Sequence, residues 1–290
     1  MALNAKRILK RQSALNVDPV LSARKLVEFT TDHLDENLPP WARRSDSVVR
    51  RHLGGYWKTF VLDVHSLIRM YIAQVVLVLA SFLIPAMFTL IMPIVTVSLV
   101  LVPLGLALHV IVLYSVGKLA AAHVADERRS RSLDILRTTP RTLTRILASK
   151  GAAAVWRYTE DMVLPLSIAM LCSLPALVIQ YDTLLGVNSG IGMRFAIIAA
   201  LGTSVLRLVL ETIMIAGVGL FMGANTLSRT TASVSTLLIG IGYFASINLM
   251  RLLPFGIGWN VFIEIIAPLV FPPIITAICL YFAVWTLKRD

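Results

Sequence analysis

From about residue 70 onward the apolar residues run in blocks of about twenty or more, separated by short polar stretches, instead of alternating or marking one helix face. A helix needs about 20 apolar residues to cross roughly 30 Å of hydrocarbon, because in lipid its backbone groups must be satisfied within the segment. Cutting the chain by that ruler predicts six transmembrane helices, over about 70–91, 95–117, 162–180, 195–221, 232–253 and 261–287. The first block, Tyr71 to Val116, is about twice one span. It is expected to be a helical hairpin turning near Met92-Pro93, with Pro85 and Pro103 inside spans where neighbouring helices re-satisfy the freed carbonyls. The fold class is then all-α: a polytopic membrane protein with an N-terminal region over 1–55 and a six-span domain over 56–290.

Ahead of the blocks the pattern becomes amphipathic. Asp18-Pro19 has the form of an N-cap followed by proline at the first helical position, and Val20, Ala23, Val27 and Leu34 share one face up to Pro39-Pro40. The stretch YWKTFVLDVHSLIRM places Trp57, Phe60, Val61, Val64 and Ile68 on one side and Lys58, Asp63 and His65 away from it. It is expected along the inner leaflet or against the protein's own body. Between spans two and three, residues 118–161 are too apolar and periodic for a linker. Leu133 and Leu136, then Leu143 and Ile146, stand either side of Thr139-Pro140, where proline stops one helix and can begin the next. That predicts helix, sharp turn, helix.

Composition agrees with lipid as solvent: 57% of the 290 residues are hydrophobic and 15% charged. Charge adds orientation. The net +11 is grouped, with twelve Lys and Arg in 1–69, nine in 118–161, one in 223–231 and two in 288–290. The other connections have only Arg194 and Arg251 near them. By the positive-inside rule the basic segments face the cytosol, so both termini are inside and the span number is even. Such grouping is topology; a nucleic-acid partner would want a basic face that follows a phosphate backbone. MALNAKRILKRQSALNV lacks the apolar core and cleavage site of a signal peptide, so residue 1 is expected to stay cytosolic, in a multi-pass protein of the cell membrane. Trp57, Trp156, Trp259 and Trp285 fall near span ends, the headgroup level. Cys172 and Cys279 lie inside apolar runs as small hydrophobes, with no disulfide or metal site indicated.

A few polar residues fall inside spans. Arg207 and Glu211 stand four apart in the fourth, as a self-neutralising pair or as pathway and gating residues. Glu264, near the outer start of the sixth, is expected to be an exposed interfacial carboxylate, with an outer gate as the sharper alternative. His109 and Glu160-Asp161 are expected to make ordinary polar contacts, since no second acidic cluster completes a proton relay. Gly219-x-x-x-Gly223 and Gly242-x-x-x-Ser246 permit close helix approach within the subunit.

The richest signal lies at Glu127, Leu133, Ile135-Leu136, Thr139-Pro140 and Lys150, and in IMIAGVGLFMGANTLSRTTASVSTLL, where a small-residue-rich fourth span ends in a short Ser228-Arg229 turn. These patches resemble the transmembrane subunits of ABC type-2 transporters, whose acidic start, Leu-Leu pair, Thr-Pro turn and Lys mark the coupling helix and the start of the third span. Six spans with both termini inside also suits that family. Two positions depart from it: Arg131-Ser132 stand in place of Gly-Thr, and Ser149 in place of the Gly before the Lys.

The resemblance implies a permease subunit, an exporter in direction, coupled to a separately encoded ABC ATPase through residues 126–140. Glu127, Arg131, Leu133, Asp134, Leu136, Arg137, Thr139, Pro140, Ser228 and Arg229 would face that ATPase. A second copy or a paralogue would complete the pathway within the lipid bilayer. This chain itself has no phosphate loop, His-Glu-x-x-His or Gly-x-Ser-x-Gly, so no catalytic residue, metal or cofactor is assigned to it, and ATP belongs to the partner. A rival of another class is a non-transporting anchor or assembly subunit that kept the permease shape and uses its loop to hold another protein, a reading that the altered Arg131-Ser132 leaves open. An intramembrane enzyme ranks last, because no pair of catalytic groups recurs at one depth in different spans. The fold does not choose a cargo.

Overall fold

The computed structural model describes residues 36–54, 64–84, 92–132, 140–185, 190–251, 253 and 257–289. Among them every regular element is helical. These are α1 (Ser47–Leu53), α2 (Val64–Ala80), α3 (Met92–Arg129), α4 (Leu143–Arg157), α5 (Thr159–Leu185), α6 (Gly190–Asn225), α7 (Arg229–Arg251), α8 (Ile257–Val261), a π-helical turn (Phe262–Ile266) and α9 (Ala267–Arg289). Five helices among the described residues are long and apolar enough to cross a membrane: α3, α5, α6, α7 and the run from Phe262 through α9.

The first expected span differs in extent. A continuous helix over 70–91 is not what forms, because α2 closes at Ala80 in a turn over Ser81–Leu83. The buried Ser81 hydroxyl donates to the Val78 carbonyl at 2.6 Å, and the Phe82 and Leu83 amides donate three residues back, to Leu79 and Ala80. Such side-chain bonding competes with the helical ladder. The remainder of that predicted span, with Pro85, lies in 85–91 and outside the described residues, as do the predicted helix after Asp18-Pro19 and the first part of the amphipathic stretch, residues 56–63. Met92-Pro93, expected as the hairpin turn, instead opens α3, where a proline in the first turn gives up no ladder bond.

No break marks the expected end of the second span at 117. The run AAAHVADERR continues α3 to Arg129, as strong helix formers should. There the Ser130 and Ser132 hydroxyls donate to the Glu127 carbonyl at 3.3 and 3.5 Å, and Arg131 adopts a left-handed φ of 55°. The second loop helix starts at Leu143, capped by Thr142, whose hydroxyl accepts from the Arg145 amide at 3.4 Å.

Helix α6 is the axis, with α3, α5, α7 and α9 packed around it. Gly219 and Gly223 make the α3 contact close: a Cβ on Gly219 would stand 2.6 Å from the Gly117 carbonyl oxygen, and one on Gly223 would meet that of Ala121. The first small-residue spacing is therefore packing within the subunit, as expected. Gly242 has nothing within 4 Å of where its Cβ would be, so the second spacing makes no such approach among the described residues.

Candidate functional site

Two regions hold the buried charge. The first is the end of the bundle where α3 leaves the hydrocarbon. At 1.5 Å per residue its 38 residues rise about 57 Å, nearly twice the thickness of a bilayer core, and its last turn carries Asp126, Glu127, Arg128 and Arg129, so the charged end is the one that suits a place outside the hydrocarbon. There the fully buried Lys150 ammonium of α4 pairs with the Glu127 carboxylate of α3. The His52 Nε2 of α1 lies 3.4 Å from the second Glu127 oxygen, and its ring centroid is 4.3 Å from that of His123. Burial works to raise the Glu127 carboxyl, yet His52 and the Lys150 charge together overcome it and hold the group at about 2. Burial lowers Lys150 despite the opposing attraction of Glu127. Burial, reinforced by His52 and Lys150, pushes His123 down to about 3, so it is a neutral ring at ordinary pH.

Residues 36–54 are clamped onto α4. Asp46 caps α1 by accepting from the Val48 amide at 2.9 Å, and both its oxygens accept from Arg141 at 2.9 Å, with Arg145 at 3.7 Å. The Trp156 indole N–H donates to the Ala42 carbonyl at 2.8 Å, and the Arg44 guanidinium lies 5.0 Å over its ring. Trp156, expected at the headgroup level, is engaged by this cap. Val49 and Leu53 pack on Ala153 beneath it.

The residues that the resemblance assigns to coupling divide accordingly. Glu127 is buried and paired; Arg131 is exposed at the α3 terminus; Pro140 is exposed just before the α4 cap. The Ser228 hydroxyl accepts from the Thr231 amide at 3.5 Å at the start of α7, and the exposed Arg229 comes within 4.0 Å of Asp126. Leu133, Asp134, Leu136, Arg137 and Thr139 lie outside the described residues.

The second region is a cavity of about 250 Å³ among α3, α5 and α6, lined also by Arg251 at the end of α7 and Glu264 in the π-helical turn. Arg207, Glu211 and Glu264, separate candidates in the sequence, all line it. Arg207 Nε lies 2.6 Å from Glu211 Oε1, so the spacing of four does form a pair, and His109 Nε2 is 3.7 Å from Glu211 Oε2. Glu264 is not the exposed carboxylate expected: its side chain is 21% accessible and paired with Arg251 at 3.0 and 3.1 Å. Proline explains its placement. Pro268 has no N–H for the Glu264 carbonyl and its ring crowds that carbonyl; the ladder widens just before it, with the Ala267 amide donating to Phe262 five residues back.

Sequence reasoning used Arg251 only for topology, at the far end of the fifth span, and passed over His52, Asp46 and His123. The signals available were weak: opposite charges flanking the connection between α7 and α9, and an Asp two residues before Val48-Val49 as an N-cap. Comparison with family models, with curated proteins and with solved structures returns no match for this chain.

Proposed function

We propose that the chain is the permease subunit of an ATP-driven transporter of the ABC type-2 kind, an exporter, coupled to a separate ATPase through residues 126–140. The observation that carries the reading is the Glu127–Lys150 pair. These are the acidic residue and the lysine that bracket the coupling segment in the resemblance, 23 positions apart, and they meet in the interior. A segment whose two ends are locked to one base moves with that base, which is what coupling to nucleotide-driven closure requires. Arg131, at the position of the family's Gly, holds a left-handed backbone that suits glycine, in keeping with the same reading.

The topology proposed is six spans, with residues 70–91 completing the set and both termini cytosolic. In support, one end of the bundle gathers the basic segments: Lys288 shares a cleft with Arg141, Leu143 and Ile146, and the Thr286 hydroxyl is 3.3 Å from the Asn225 side chain. Two copies, or this chain with a paralogue, would wall the pathway, and the charged cavity belongs to it. The anchor reading draws on the fact that both arginines of the cavity are already paired.

A mild-detergent pull-down separates the two. The tagged protein brings down an ATPase, and Leu133→Asp/Leu136→Asp loses it. Recovery of no ATPase, or of a non-ATPase complex that persists in the variant, gives the anchor reading instead.

A further inference from the structure

The geometry points to the intramembrane cavity as a binding site for a zwitterionic amphiphile, a lipid-like molecule whose headgroup carries one anionic and one cationic group. The assignment rests on the cavity being part of the proposed pathway, but binding is measured without any ATPase.

Charge balance selects the headgroup. The cavity presents two guanidiniums, Arg207 and Arg251, and two carboxylates, Glu211 and Glu264, from three different elements. Surrounded by lipid and apolar side chains, a ligand of either net charge would leave one charge uncompensated where a buried charge is costly. A zwitterion avoids this by exchange of partners: its anionic group takes a guanidinium, its ammonium the freed carboxylate. His109 supports the exchange. It is 3% accessible, neither ring nitrogen makes a hydrogen bond, and it stands 3.7 Å from Glu211, so that carboxylate keeps a neighbour when Arg207 turns to the ligand.

The remaining lining disfavours a neutral polar cargo such as a glycan. Among the described residues it includes no Asn, Gln, Tyr or Trp, and the Thr203 and Ser204 hydroxyls already donate to the Ala199 and Leu201 carbonyls at 2.9 and 2.8 Å. Ser173 adds one buried hydroxyl without a hydrogen-bond partner, room for a single further contact to a headgroup. The walls suit an acyl chain: Val102, Leu106, Ile168 and Leu177 line them, and Leu106 is 53% accessible on the outer surface of the bundle, where a lipid would enter.

The test is native mass spectrometry of the purified full chain in detergent, titrated with dioctanoyl phosphatidylethanolamine, dioctanoyl phosphatidylglycerol, dioctanoylglycerol and phosphoethanolamine. The zwitterionic lipid is expected to bind about tenfold or more tighter than the other three. Arg207→Gln/Glu211→Gln, which removes the pair that opens to the ligand, should abolish that preference, and Ala169→Phe, which fills the cavity and leaves every charge in place, should abolish binding even if the double variant does not fold. Equal binding of phosphatidylglycerol or dioctanoylglycerol, equal binding of phosphoethanolamine without a tail, or full binding to Ala169→Phe overturns the assignment. If the preference holds and no ATPase co-purifies, the site stands and the permease reading falls; if an ATPase co-purifies and no preference appears, the site alone falls.

Discussion

Glu127 offsets the cost of burying the Lys150 ammonium in the protein interior, and that dependence is measurable. Removing one partner, as in Lys150→Ala, should cost about 3–5 kcal/mol, whereas Lys150→Met/Glu127→Leu should recover most of it, both read by thermal unfolding in detergent. The cluster also sets a pH dependence. Glu127 sits at about 2 against an ordinary 4.5, so its contribution is complete above pH 4.5 and is lost as pH falls toward 2. His123, at about 3 against an ordinary 6.5, resists a proton that the unfolded chain accepts, so stability falls from pH 6.5 toward 3 as well. His123→Leu should remove the upper part of the slope and Glu127→Gln the lower part. A separate expectation concerns Arg131: Arg131→Gly relieves a left-handed residue and should raise stability by about 1 kcal/mol. Glu127 and Lys150 were legible one by one, as motif positions. Their meeting was not, nor was His52, because nothing local in a basic N-terminal segment tells which side chain is buried against a helix about 70 residues away.

Among the elements, the long apolar blocks announced themselves, since in lipid a run of apolar residues can form little except a helix. Ends were harder. Helix α2 stops early because of one buried serine, and α3 runs on because alanine-rich sequence favours helix whether or not lipid surrounds it. The π-helical turn escaped notice because Pro268 reads as punctuation, while the widened turn just before it carries Glu264, which lines the cavity. The two small-residue spacings looked alike in sequence and behave differently. Gly223→Val should push α6 off α3 and lower the melting temperature by several degrees, while Gly242→Ala, with open space around it, should leave stability unchanged or raise it by up to about 1 kcal/mol. Thermal unfolding of the two variants side by side checks both.

Taken whole, the molecule sets a polar cavity among five membrane-length helices and a buried salt bridge where the longest of them ends. The charge grouping in the sequence predicts which end faces the cytosol, and single cysteines test it. With Cys172 and Cys279 replaced by alanine, a membrane-impermeant maleimide should label Asn188→Cys in intact cells, and Ser228→Cys only after permeabilisation. Labelling of Ser228→Cys alone from outside would invert the six-span topology, and labelling of both would break it. What the sequence could not supply is the gathering of Arg207, Glu211, Arg251 and Glu264 around one space, because helix packing, not spacing along the chain, brings them together. The claim at the centre of the proposal is that this cavity and residues 126–140 belong to one machine. ATP turnover by the co-purified complex in liposomes, wild type against Ala169→Phe, measures that coupling directly. A permease whose cavity is filled should change its turnover several-fold with the ATPase still bound; identical turnover in the two proteins would mean that the cavity and the ATPase do not communicate, and would contradict it.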